Sequence, residues 1–134
     1  MQIADNIYST HILEDPNTFG AMHPGGTQIY FVGDPNDNMV MIDSGEPYRA
    51  WTRQILDYYA ELGRPRMSAI LVTHGHEDHI GGLDRIQEEM GCQVRCHPKL
   101  AAYLTERLGT GCVQPIKSRE VIPTGGGQGL RALF

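Results

Sequence analysis

The residues of this chain that could do chemistry crowd into one place. In THGHEDHIGG, residues 73 to 82, three histidines, a glutamate and an aspartate fall within six positions. Imidazole and carboxylate are the side chains that suit zinc, iron or manganese. His74 and His76 are two apart on what reads as a tight loop, so both imidazoles can converge on one point. Asp78 and His79 are adjacent and can face a second point nearby. A single histidine usually serves locally. Three of them with an aspartate, on a loop punctuated by glycines after an apolar strand, point to a metal site. Glu77, between the ligands, reads as a solvent-facing side chain that adds negative potential.

The stretch begins where the apolar run SAILVT (68–73) ends. In open α/β sheets, sites gather at the carboxyl ends of strands. Gly75 is expected to let the backbone turn sharply there, and Gly81 with Gly82 to lead into a helix. SAILVT is apolar throughout, which suits a strand covered on both faces. Two further runs, QIYFVG (28–33) and MVMID (39–43), flank the turn former DPNDN and read as a hairpin. Trp51, Ile55, Tyr58, Tyr59 and Leu62 recur at helical spacing, so residues 48–62 read as an amphipathic helix ended by Gly63. Leu83, Ile86 and Met90 form a second helix stopped by Gly91. Leu100, Ala101, Leu104 and Leu108 form a third, opened by Pro98 and stopped by Gly109. QVRCH reads as a short strand between those two helices. EVI (120–122) and GLRALF (129–134) read as weak strands around a Gly-rich turn. The expected fold is α/β, a mixed sheet with helices on one face. Apolar residues at helical spacing are core residues and carry no chemistry.

With the elements in place, the histidine stretch resembles the H-x-H-x-D-H signature of the metallo-β-lactamase fold superfamily. M-I-D-S-G, residues 41 to 45, resembles the strand-ending aspartate of that family. The likeness is nearest to the glyoxalase II-like and β-lactamase-like-protein-2-like hydrolases. It implies that His74 and His76 bind one metal, Asp78 and His79 the other, and that Asp43 orients them from behind. It also implies two zinc ions, with iron or manganese as alternatives. A hydroxide on the metals would attack an ester, thioester, lactone or related small substrate, and Asp78 could shuttle a proton. The oxygen-reducing diiron branch usually carries Glu where this chain has His76, which favours hydrolysis. A nuclease of the same fold, cleaving RNA phosphodiesters, and a non-catalytic metal-binding or interaction protein stand as alternatives.

Catalytic zinc normally has three protein ligands and a water, so two ions ask for more than four side chains. The family supplies the rest from a T-P-G-H-like stretch, a later bridging aspartate and a last histidine. No His follows His97 and no Asp follows Asp84. The expectation is therefore a single incomplete domain over 1–134, the first half of an αββα sandwich with the C-terminal half absent. Alone it would bind metal weakly, and its sheet would expose an apolar face.

The lone histidines His11, His23 and His97 are expected to act locally. His23, in FGAMHPGGTQ, ranks first among them as a residue that could border a substrate cleft. PTGGGQG lacks the G-K-S/T ending of a phosphate loop and reads as a hairpin turn. At 134 residues the length fits one domain. The net charge of −5 argues against a nucleic-acid surface without excluding a local basic patch. Cys92, Cys96 and Cys112 are odd in number and lack a C-x-x-C, which fits a reduced, cytoplasmic protein. No basic start with an apolar run and no long apolar stretch occurs, so neither a secretory signal nor a membrane span is expected.

Overall fold

The structure, a computed structural model, describes residues 1–13 and 26–133. The expected α/β architecture is found. Seven strands form one mixed sheet in sequence order: β1 (Gln2–Ala4), β2 (Ile7–Ile12), β3 (Thr27–Asp34), β4 (Asn38–Ile42), β5 (Met67–Leu71), β6 (Gln93–Cys96) and β7 (Val113–Pro115). β1 to β4 run antiparallel, and β4 to β7 run parallel. A separate hairpin joins β8 (Val121–Gly125) to β9 (Gln128–Arg131). The helices are α1 (Arg49–Glu61), α2 (Glu77–Ile80), α3 (Leu83–Met90) and α4 (Pro98–Leu108).

The β3–β4 hairpin forms as expected, with Tyr30 opposite Ile42 and Asp34 opposite Asn38. Its turn is held by Asp34, whose Oδ1 accepts from Asn36 N at 2.9 Å and whose carbonyl accepts from Asp37 N at 2.9 Å. Such local bonds are why Asp and Asn favour turns. The parallel strands need helical crossovers, and α1, the α2–α3 pair and α4 supply them. The carboxyl ends of β4, β5 and β6 therefore open at one end of the sheet.

Side chains of β3, β4 and β5 alternate between two apolar layers. Ile29, Phe31, Met39, Met41 and Ile70 join Trp51, Ile55, Ile80, Leu83, Ile86 and Leu104 from the helices, and all are essentially inaccessible. Each such side chain stabilises the fold by about 1.5–3 kcal/mol. Val32, Val40, Ala69, Ile116 and Ile122 form a smaller cluster on the other layer. That face is less bare than the sequence suggested, because β8 and β9 lie across part of it. Gly33 makes the close approach possible: a Cβ there would stand 1.8 Å from Thr124 O. Arg95 Nη2 reaches both Glu120 carboxylate oxygens at 3.0 and 2.8 Å, and Gly126 N donates to Asp37 Oδ2 at 2.9 Å. The Gly-rich turn is a hairpin turn. Gly125, Gly126 and Gly127 all take positive φ, where side chains are strained.

Three strands were not anticipated: β1, β2 and β7. The sequence also gave no hint that Asp78 and His79 sit on a helical turn of their own, separate from the helix that follows Gly82. Among the described residues, no helix is long and apolar enough to cross a membrane.

Candidate metal centre

Asp43 is the first residue beyond β4, and it is the hub of the site. The chain leaves the strand there in the left-handed region, with φ 61. A non-glycine residue so placed costs roughly 1–2 kcal/mol, least for Asn and Asp. The surroundings hold it: Asp43 N donates to Leu71 O at 2.8 Å. Its side chain, 11% exposed, points across to the end of β5. Oδ1 accepts from Thr73 N at 2.8 Å, and Oδ2 accepts from Thr73 Oγ1 at 2.7 Å. Oδ2 also lies 2.7 Å from His79 Nδ1.

These bonds assign the tautomers. A carboxylate accepting from Thr73 leaves His79 to donate from Nδ1, so the Nε2 lone pair of His79 stays available. The Thr73 hydroxyl proton is committed to Asp43. Its 3.0 Å contact with His74 Nδ1 is therefore one in which the histidine donates, and Nε2 of His74 is left with its lone pair as well. Thr73, invisible as a site residue in the sequence, thus links Asp43 to His74, while Asp43 itself holds His79.

The rings are close. His74 and His76 are 4.6 Å apart between centroids, and His74 and His79 are 4.0 Å apart. One ligand atom each from His74, His76 and Asp78 lies within 4.8 Å of the other two. Donors on a common tetrahedral zinc are about 3.4 Å apart, given bonds of about 2.0–2.2 Å, so small side-chain rotations bring the three onto one ion. His79 Nε2 is 3.3 Å from Asp78 Oδ2. Asp78 therefore reaches both the His74–His76 pair and His79. The donor set is nitrogen and oxygen only, with no thiolate, and it fits zinc, iron or manganese.

Local packing fixes this loop. His79 N and Ile80 N donate to His76 O, and Gly81 N donates to Glu77 O, which closes the α2 turn. Ile80 plugs the turn into the core. Ser44 N and Oγ both donate to His79 O, at 2.8 and 2.9 Å, so the segment after Asp43 grips the turn that carries Asp78 and His79. Gly81 and Gly82 are required by space: a Cβ would meet Pro47 Cδ at 2.4 Å in the first and Ser44 O at 2.9 Å in the second. Gly75 has no positive φ, contrary to the expectation that backbone freedom explains it. A Cβ on Gly75 would stand 2.9 Å from Leu100 Cδ1, so its reason is room beside α4.

Glu77 is half-exposed, as expected, but it is held. Arg107 Nη1 donates to Glu77 Oε1 at 2.9 Å, and Nη2 donates to Gly81 O at 3.2 Å. This clamp from α4 spans both ends of α2 and was not legible beforehand. His97 acts locally, accepting from Lys99 N at 3.0 Å through Nδ1 to cap α4. It also borders a cleft of about 280 Å³ shared with Thr73, His74, Gly75, Lys99 and Leu100. His11 lies on β2 opposite Gln28, and His23 falls outside the described residues. The three cysteines are free. Burial pushes the Cys92 thiol up to about 11 and raises that of Cys96, so neither is a ready thiolate.

Comparison with known proteins agrees with this picture. The family model of the metallo-β-lactamase superfamily matches residues 23–131. The lactamase-like protein nscB of Aspergillus fumigatus is 30% identical over 115 residues, 86% of this chain and 32% of that protein. Ribonuclease J of Mycoplasma genitalium is 28% identical over 92 residues, 64% of this chain and 16% of that protein. MEM-A1, a subclass B3 metallo-β-lactamase from a soil metagenome library, superposes with a TM-score of 0.66 at 20% identity, over 80% of this chain and 46% of that one. The chain thus spans 32% of the length of nscB and less than half of MEM-A1.

Proposed function

This chain belongs to the metallo-β-lactamase superfamily, and from that premise we propose that it carries the metal-binding loop of a hydrolase acting on a small ester, thioester, lactone or related substrate. The observation that supports this reading most is the Asp43–Thr73 network, which leaves Nε2 of both His74 and His79 as lone-pair donors beside His76 and Asp78. His74, His76, Asp78 and His79 would hold the metal, zinc by preference and two ions in the complete site. Bound there, zinc lowers the pKa of a water and polarises the bond under attack. Asp43 and Thr73 hold the imidazoles in the ligating tautomer, and Arg107 steadies the turn that carries Asp78 and His79. Asp78 would take a proton and pass it on, a role that its Oδ2 beside His79 Nε2 supports. Four donors do not complete two sites of three ligands each, so we propose that the remaining donors come from outside residues 1–134. The free cysteines suit a reducing, cytoplasmic setting.

The similarity to ribonuclease J supports a second reading, RNA phosphodiester hydrolysis at the same centre. The test is a substrate panel run on the full protein with zinc: esters, thioesters, lactones, β-lactams and a short RNA. Turnover of a small acyl substrate that His76→Ala abolishes supports the first reading. RNA cleavage alone supports the second. Zinc uptake without turnover of any of them refutes both and leaves a metal-binding protein.

A further inference from the structure

Away from the metal loop, a cleft of about 380 Å³ lies between α1 and α3, lined by Arg49, Thr52, Arg53, Leu56, Asp57 and Arg85. It shares no residue with the stretch from Thr73 to His79. Three of its six residues are arginines, and among the described residues none of the three pairs with a carboxylate. Elsewhere, Arg95 holds Glu120 and Arg107 holds Glu77. Three positive charges against Asp57 leave the cleft at +2, on a chain whose net charge is −5. Arg49 also opens α1, whose first turn carries no acidic residue, so its charge stands where the helix dipole is already positive. Three guanidinium groups lining one cleft with a single carboxylate, Asp57, carry an excess of like charge, a cost that proteins tend to accept at functional positions.

We propose that this cleft binds a phosphate monoester with a small organic stem. A phosphate carries about −1.5 to −2 charge near neutral pH, which matches +2 better than a single carboxylate would. The planar fork of arginine pairs with two phosphate oxygens at once. Leu56 offers the stem an apolar wall. Thr52, 2% exposed, is the most deeply set of the lining residues. Its Oγ1 lies 2.9 Å from the Cβ position of Gly82, so the cleft backs onto the corner that follows the metal loop.

The test is a titration of the full protein with phenyl phosphate, inorganic phosphate, benzoate and ionic-strength-matched sodium chloride, followed through the arginine side-chain N–H resonances. Phenyl phosphate is expected to saturate the shifts, with inorganic phosphate weaker and benzoate weaker still. Arg53→Gln and Arg85→Gln should each weaken phenyl phosphate binding about tenfold. Phosphate bound at the metal centre would be equal in all three proteins, so the difference isolates this cleft. All three arginines are exposed, and circular dichroism checks that the variants fold. Should a variant fail to fold, the wild-type comparison of phenyl phosphate with chloride still decides. Shifts no greater than those of matched chloride, or folded variants that bind as tightly as wild type, overturn the proposal.

Discussion

Asp43→Asn alters one atom at the centre of the site while keeping its shape, and asparagine tolerates the left-handed backbone at φ 61. Oδ1 can still accept from Thr73 N. The amide nitrogen that replaces Oδ2 now faces Thr73 Oγ1 and His79 Nδ1, both formerly donors at 2.7 Å. Each lost bond to a charged acceptor is worth about 1.5–3 kcal/mol. The Thr73 hydroxyl can rotate and His79 can shift its proton to Nε2, so much of that is recovered, and the net destabilisation should be about 1–3 kcal/mol. Metal binding does not recover in the same way. With its proton on Nε2, His79 is no longer a ligand, and restoring the other tautomer sets two N–H groups against each other. Loss of such an orienting carboxylate costs about 10–100-fold in affinity, which is about 1.4–2.8 kcal/mol. The assay is zinc competition with a chromophoric chelator on the full protein and its Asp43→Asn variant, with the His79 tautomer read from long-range nitrogen–proton NMR correlations. An affinity within twofold of wild type, or a His79 that keeps its proton on Nδ1, would refute the reasoning.

Further expectations concern the supports of the site. Arg107→Leu removes the clamp on Glu77 and Gly81. Because Glu77 is 47% exposed, the stability loss should stay below about 1 kcal/mol, while turnover falls more than stability does; equal turnover at equal zinc loading would contradict the clamp. Cys112 is the most accessible of the three thiols, so iodoacetamide should label it first. Cys92, with its thiol pushed up to about 11, should label only on unfolding, and fast labelling of Cys92 in the native protein would count against its burial. Hydrogen bonds from Lys117 N and Arg95 hold the Glu120 carboxyl below its usual range. A carboxyl depressed in the folded state contributes stability above its unfolded value and loses it as pH falls through the folded one. The β8–β9 anchor should therefore hold at neutral pH and loosen on acidification below about pH 4. The amide resonances of Arg119 and Ala132 report it, and a Glu120→Gln variant with the same acid response would contradict it.

The strands and helices that the sequence revealed are those whose burial alone accounts for their composition. β4 carries three successive buried residues, Met39 to Met41, because both of its faces are covered there, β3 and β5 are apolar over most of their length, and α1 shows Trp51, Ile55, Tyr58 and Tyr59 because one face packs on the sheet. β2 was hidden by polar residues: IYSTHI buries Ser9 among its neighbours. β7 is three residues long and ends in Pro115, which a central strand would not tolerate but an edge strand does. The four clustered candidates were legible because their spacing is local. Their supports were not. Thr73 joins Asp43 across 30 positions, and Arg107 joins Glu77 across 30. Such contacts are products of the fold and leave no periodic trace. The arginine cleft was missed for the same reason, since Arg85 lies far in sequence from Arg49 and Arg53.

The account stands on His74, His76, Asp78 and His79 forming one metal centre with Asp43 behind it. Zinc titration of the full protein against its His76→Ala, Asp78→Ala double variant tests this most directly. Two of the four proposed ligands are then gone, and zinc affinity should fall by at least 100-fold, with hydrolytic turnover lost. A double variant that binds zinc as tightly as wild type and retains its turnover would contradict the assignment.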